Sequence, residues 1–493
     1  MLTVLVLVPL VGALVLAVGT RIPDRWVKPL AVAIGVVPVV LVGAVWAAFD
    51  IGGERFQQVV DIDWIPTVGV GWRVGVDGIA LAVLALTVVL FLAVLAFPED
   101  TRGRTRQYHA WMLFLEAVSI GLFVTLDLVV FYVFFDLSLV GMYFVISRWG
   151  HENAEKAALK FFLYTLLGSL TLLLGILALG LAMDPITFDM RAIIEAQPLA
   201  EAAHAGLVML ALLIGLGIKT PVVPFHTWLP AAHVEAPATG SAILAGVLLK
   251  MGTFGLIRIP LSMMGVTFQR YALPIAIVGV VSIVYGALVA LGQDDLKRRI
   301  AYTSVNHMGY SVLGIAAAGG LLVGNEAARS LALTGATVEM VAHGLITGSL
   351  FLLSGSIWRR TEEYAMDAYG GLAGAVPMMT TAMVVASFAS LGLPGLVGFV
   401  AEFQIFVGTF AIYPMLAVIG LLGILLTAAL FLQLLQRVFF GEPASDRFSE
   451  LRDLDGTERA VLGGLLALTV LLGVAPRALL GLVNTASGLV LGS

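Results

Sequence analysis

Long apolar runs, separated by short polar ones, set the pattern of this chain. A helix needs about 20 apolar residues to span a bilayer. Fourteen runs approach that length: Leu2–Gly19, Pro29–Phe49, Ile79–Phe97, Tyr108–Thr125, Leu128–Ser147, Ala157–Leu181, Gly206–Val223, Gly240–Ile259, Ala272–Leu291, Ile300–Ala318, Leu331–Trp358, Met378–Tyr413, Met415–Gln436 and Ala460–Leu480. The pattern predicts an all-α polytopic membrane protein of about 14 transmembrane helices. Two spans are interrupted. Pro221 and Pro224 break span seven just after Lys219, and Pro394 with Gly392, Gly395 and Gly398 breaks span twelve shortly before Glu402. Between spans two and three, Asp50–Asp77 mixes acids, Trp64, Trp72 and glycines, which predicts a folded external loop, a hairpin.

The polar stretches give an orientation. Arg21, Arg25 and Lys28 follow span one; Arg102, Arg104 and Arg106 follow span three; Arg148, Lys156 and Lys160 follow span five. Lys297, Arg298 and Arg299 follow span nine, Arg359 and Arg360 span eleven, and Arg437 span thirteen. The loop Asp184–His204 after span six is acidic. Basic residues stay on the cytoplasmic side, so both termini are expected outside it. The first run has no basic residue before it and reads as a membrane helix rather than a cleaved signal.

Composition agrees. Of 493 residues 60% are hydrophobic and 12% charged, and mean hydropathy is +1.02, which excludes a soluble globular protein. No polar insert is large enough to fold as a separate domain. The absence of cysteine excludes thiolate metal sites and iron–sulfur ligation by this chain. The net charge of -5 carries no nucleic-acid signature, and no dinucleotide, phosphate-loop or haem motif stands in a suitable context.

The informative residues are the ionisable ones inside the spans, where a charge costs about 3 kcal/mol on insertion scales. Asp136 lies in FYVFFDLSLVGMYF and Glu116 in MLFLEAVSIGLF. Lys219 ends GLGIK before the first break, and Lys250 lies in GVLLKMGTFG with no acid within a turn. Burial disfavours the charged form of a lysine, so such a group can take up and release a proton. His226 and His233 follow Lys219; Glu339 and His343 share a face of span eleven; Thr303, His307 and Ser311 stripe span ten; Glu402 follows the second break. Each has a plainer reading, as an interhelical ion pair or a satisfied interior histidine. Their succession on broken or polar-striped helices favours a proton path instead. The histidines show no clustered ligand spacing, so no metal site is expected.

The two breaks stand five spans apart, each beside a charge. Paired broken helices point to inverted repeats around a midplane ion site. The expected organisation is 1–107 for helices one to three with the external loop, 108–259 for a first five-helix repeat, 272–438 for a second, inverted one, and 458–493 for a fourteenth helix.

At these residues a resemblance becomes specific. KTPVVPFHTWLPAAHVEAPATGS, DDLKRRIAYTSVNHMGY, VEMVAHGL and LPGLVGFVAEF resemble the antiporter-like subunits of respiratory complex I. The likeness runs from about span four to span thirteen. It implies fourteen helices in two inverted five-helix repeats, one proton channel and a bacterial inner-membrane location. It also implies lipid around the chain and sister antiporter-like chains on either side. FMN, iron–sulfur clusters and quinone are expected in partner subunits, with no cofactor in this chain. The implied roles are Asp136 with Lys219 as coupling pair, Lys250 as central lysine, His307 and His343 as bridge, and Glu402 as terminal carrier toward the outer side. Asp136 stands where the family commonly has Glu, and Ala231 where Asp commonly follows WLP. Sister chains usually carry Lys at the Glu402 position. The rival readings are a subunit of a multi-chain cation/proton antiporter, a subunit of a membrane-bound hydrogenase, and a structural scaffold.

Overall fold

The computed structural model describes residues 1–320, 325–442, 448 and 450–492. The helices are α1 (Leu2–Val18), α2 (Asp24–Ala47), α3 (Gly78–Ala96), α4 (Thr105–Val124), α5 (Leu128–Trp149), α6 (Ala154–Leu181), α7 (Met190–Ala196), α8 (Ala205–Lys219) and α9 (Trp228–Glu235). They continue with α10 (Ala238–Leu261), α11 (Gly265–Leu291), α12 (Leu296–Ala318), α13 (Glu326–Thr361), α14 (Pro377–Ser390), α15 (Val397–Ile412), α16 (Pro414–Phe440), α17 (Gly456–Val474) and α18 (Arg477–Leu491). Among the described residues, ten are long and apolar enough to cross a membrane. The other expected spans have physical reasons to fall outside that set. α1 has only 17 residues; α12 carries its polar stripe; spans seven and twelve are each split, at Lys219 and Ser390.

Span seven stops at Lys219, four residues earlier than expected, because Pro221 cannot continue the helix. The expected final helix is also corrected. Instead of Ala460–Leu480, α17 ends at Val474, and Pro476 separates it from α18, which occupies the end of the 458–493 segment.

Helix starts are set by aspartates. Asp77 accepts from Ala80 N, Asp127 from Val129 N and Val130 N, and Asp455 forms a capping box with Glu458. The Asp50–Asp77 loop is indeed a hairpin: β1 (Gln57–Ile65) pairs antiparallel with β2 (Val70–Val76), Val60 opposite Val74 and Ile62 opposite Trp72. β2 is buried and β1 faces outward. β2 is stitched to the start of α5 by Leu126 N donating to Arg73 O at 2.8 Å and by Arg73 Nη1 to Asp127 at 2.9 Å.

Two basic residues counted as loop charges are instead enclosed. Lys297 and Arg299 are fully buried. Lys297 donates to Ala236 O and Arg299 to Leu291 O and Gln293 O, at 3.0 and 2.7 Å. Both satisfy carbonyls at helix C-termini, where a cation is favoured.

α10 and α13 lie innermost; the most apolar stretch of each is wholly buried. Small residues let them approach. A Cβ on Gly344 would stand 2.9 Å from Gly246 O and collide with Leu86. Gly344→Val is therefore expected to lower stability by about 1–3 kcal/mol through overpacking, read as an earlier melting transition of the purified protein in detergent.

Candidate functional site

The polar interior follows from where α10 departs from regular helix. Leu244–Leu248 and Ile257–Leu261 are π-helical. Such segments shift the backbone bonding from i+4 to i+5 and recur at functional sites. Lys250 exploits the first: its Nζ donates to Ala245 O, five residues back, at 2.6 Å. The same Nζ lies 2.5 Å from His343 Nδ1 on α13. Lys250 is fully buried.

From there a line of polar groups crosses the interior. His343 Nε2 lies 3.1 Å from Ser304 Oγ on α12. The His343 and His307 rings sit 5.5 Å apart, centre to centre. His307 Nδ1 contacts Glu339 Oε1 at 3.0 Å and its Nε2 contacts Ser390 Oγ at 2.9 Å. When Lys250 donates to Nδ1 of His343, Nε2 holds the hydrogen and donates to Ser304. Each imidazole can thus accept on one nitrogen and donate on the other.

Ser390 is the last residue of α14, so the line arrives at the second helix break. Glu402 stands across that break on α15, only 4% exposed. Its carboxylate occupies the space where a Cβ on Gly392 would lie, and Gly392 has φ +74°. Only glycine meets both conditions. Glu402 is an electrostatic neighbour of Glu339 and His307 without a direct bond to either.

The first break is arranged differently. Lys219 does not ion-pair with Asp136. Its Nζ donates to Ser138 Oγ at 2.9 Å and lies 4.8 Å from the centre of the Phe135 ring. Asp136 is its electrostatic neighbour, and Asp136 Oδ1 is buried with no protein partner. Asp136 is one methylene shorter than Glu; Ser138, which takes the lysine, donates in turn to Phe135 O at 2.6 Å. This serine, Ser304 and Ser390 were not singled out in the sequence; hydroxyls near ionisable residues are too common in membrane helices to stand out.

Other candidates fall aside. Glu116 is fully buried and neither of its oxygens meets a protein partner. His226 rests against Tyr285 and Tyr302, ring centres 5.1 and 6.2 Å away. His233 stacks on Phe351 at 4.5 Å with both nitrogens unpartnered, although Lys250 acts on it electrostatically. Pro221, Pro224 and Pro394 lie in the two breaks, and Ala231 stands half-buried on α9. Among the described residues no group of three or more His, Asp or Glu could hold a metal.

A second buried charge cluster was missed. Arg258, eight residues past Lys250 in the second π segment, pairs with Asp77 at 2.7 Å. Arg55 lies 3.8 Å from the same carboxylate, and both guanidinium groups lie 4.9 Å from the Phe56 ring centre. The signal available was an arginine inside an apolar run.

Comparison with known proteins gives the family. Residues 125–427 match the transmembrane family described as NADH:quinone oxidoreductase/Mrp antiporter. NADH-quinone oxidoreductase subunit M of Rhodobacter capsulatus is 37% identical over 98% of this chain and 95% of its own length. F(420)H(2) dehydrogenase subunit M of Methanosarcina mazei is 38% identical over 90% of this chain and 88% of its own. A chain of respiratory complex I from Thermus thermophilus superposes with a TM-score of 0.88 at 28% identity, covering 99% of this chain and all of that one. A chain of the Mrp complex from Dietzia sp. shares the fold, with a TM-score of 0.86 at 22% identity over 99% and 96% of the two chains. A family match over more than half the sequence and whole-length relatives above 30% identity lead to one conclusion: the chain belongs to the transmembrane family shared by NADH:quinone oxidoreductases and Mrp antiporters.

Proposed function

We propose that this chain is subunit M of a bacterial NADH–quinone oxidoreductase, the proton-translocating membrane subunit of a redox-driven pump. The observation that carries this reading is the line Lys250, His343, His307, Glu339 running through an apolar interior toward a helix break and Glu402. A scaffold needs paired charges; it does not need histidines bonded at both nitrogens between two buried ionisable groups. The whole-length relative in Rhodobacter supports the redox-driven reading over the antiporter one, because the Mrp chain's 22% identity speaks to fold alone.

In this proposal Lys219 is the coupling lysine, held by Ser138 and modulated electrostatically by Asp136. Lys250 is the central carrier, His343 and His307 the bridge, and Glu402 the terminal carrier toward the outer side. The basic loops face the cytoplasm, both termini lie outside, and 108–259 and 272–438 are the two inverted repeats in the inner membrane. Sister antiporter-like chains flank it. NADH oxidation by FMN and iron–sulfur clusters, and quinone reduction, belong to partner subunits.

The test is Lys219→Ala in the assembled complex. NADH-driven acidification of inverted vesicles is expected to fall at least about ten-fold, while NADH–ferricyanide activity, which reports assembly, holds. Unchanged acidification by an assembled variant would defeat the relay.

A further inference from the structure

A cavity of about 680 Å³ opens where the N-terminal end of α4, the C-terminal end of α5 and the N-terminal end of α6 meet. Arg104, Arg148 and Lys156 line it, against the single carboxylate of Glu155. The side chains of these three cations make no hydrogen bond or ion pair with any described residue. All three are exposed and so accessible to a ligand, unlike the enclosed cations Arg73, Arg258, Lys297 and Arg299, which are paired or donate to carbonyls.

Two further features fix the cavity's depth and its floor. Tyr143 and Phe144 line it, and Phe144 stacks on Trp111 at 4.7 Å. Tyr and Trp, here Tyr143 and Trp111, gather at the level of lipid headgroups. Below the cavity runs a ridge on α6: Leu159, Leu163, Leu167, Leu170 and Leu174 are 48–64% exposed, and their spacing keeps them on one face. The cavity is polar at the helix ends and continues into an apolar track along the helix.

We propose that this cavity binds an anionic phospholipid, its phosphate held by Arg104, Arg148 and Lys156 and its acyl chains lying along the α6 leucine ridge. Charge complementarity selects the ligand: three unpaired cations at a membrane boundary match a lipid phosphate, and basic pockets between transmembrane helices hold such headgroups. The ridge accounts for the chains, which a free phosphate lacks. The site has a mechanical consequence. α5 carries Asp136 and Ser138, and Arg148 lies twelve residues on, about 18 Å along the helix at 1.5 Å per residue. On α6, Lys160 donates to Thr227 O at 3.1 Å, just past the first helix break. A lipid wedged here clamps the two helices that flank Lys219.

The experiment uses the purified complex in neutral detergent and a phosphatidylglycerol carrying a diazirine in its acyl chain. After photolysis, cross-links to this chain are mapped by peptide mass spectrometry. Labelling is expected within residues 143–174, competed by unlabelled dioleoylphosphatidylglycerol and not by dioleoylphosphatidylcholine or inorganic phosphate. Labelling should drop about five-fold for each cation neutralised, in R148Q alone and further in R104Q/R148Q/K156Q, while R21Q/R25Q labels like wild type. Equal competition by phosphatidylcholine or phosphate, or full labelling of the triple variant, overturns the proposal. So does labelling of a neighbouring subunit in place of this segment, which would mean that protein covers the cavity. R148Q alone decides the matter where the triple variant does not assemble.

Discussion

Replacing Lys250 by alanine is expected to stop proton pumping almost completely, by about a hundred-fold, without unfolding the chain. Lys250 is fully enclosed and its Nζ has two protein partners, Ala245 O and His343 Nδ1. Alanine removes a buried cation together with the cost of burying it, so the fold keeps most of its stability. The π segment's carbonyl loses its side-chain donor, a penalty of about 1–3 kcal/mol. The proton route suffers far more. Without the ammonium group nothing at that position can give a proton to His343, and positioned proton transfer is typically worth 10²–10⁴-fold. The measurement is NADH-driven acidification of vesicles beside ferricyanide reduction. Lys250→Arg serves as a second test: guanidinium keeps the charge but scarcely releases its proton, so it should fail as alanine does. Normal pumping by Lys250→Arg would mean that charge, not proton exchange, is what the site requires.

The largest stability effect is expected at Asp77. Removing its carboxylate leaves Arg258, 2% exposed, beside Arg55 with no anion between them. Breaking a buried pair by deleting one partner costs about 3–5 kcal/mol, and Asp77→Ala also removes the cap of α3. Such a loss is a large part of a domain's total stability, so little assembled complex should be recovered. Asp77→Asn keeps an N-cap acceptor and should fall between. The pH dependence follows with a definite sign. Burial pushes the Asp77 carboxyl up, but Arg258 and Arg55 outweigh burial and hold it below its ordinary value. The same burial and the neighbouring Arg258 bring the Arg55 guanidinium down to about 10. A depressed carboxyl stabilises above its unfolded value near 3.9, and this contribution is lost as pH falls through the folded value. Melting of the wild type should therefore decline below about pH 4 through a component that Asp77→Ala lacks.

Most spans were legible because lipid forces every backbone group into a helix, so apolar length alone reveals them. The two breaks were equally plain, since proline and glycine act locally. Legibility failed where the outcome depends on packing. Lys297 and Arg299 look like solvated loop charges until the carbonyls of Ala236, Leu291 and Gln293 are seen waiting for them. The stop at Pro476 was hidden by apolar residues on both sides. In the site, Lys250, His343, His307 and Glu339 could be named from the sequence, but not the order in which they touch. Glu339 and His343 share a helix face, yet each bonds across to another helix. The resemblance names Asp136 and Lys219 as a pair but not how they meet; the lysine's hydrogen bond goes to a serine two residues from the acid. Such partnerships are set by interhelical register, which one sequence does not display.

The π segment at Leu244–Leu248 can be restated as arithmetic on the chain. One extra residue within an otherwise α-helical turn delays everything after it by a single step, about 100° of rotation. Lys250 reaches Ala245 O and His343 only because of that offset. Winding the same residues as regular α-helix would remove that delay and swing the ammonium group about a quarter-turn away from the histidine, with the sequence unchanged. The position of the central lysine is thus set by the count of residues per turn as much as by their identity.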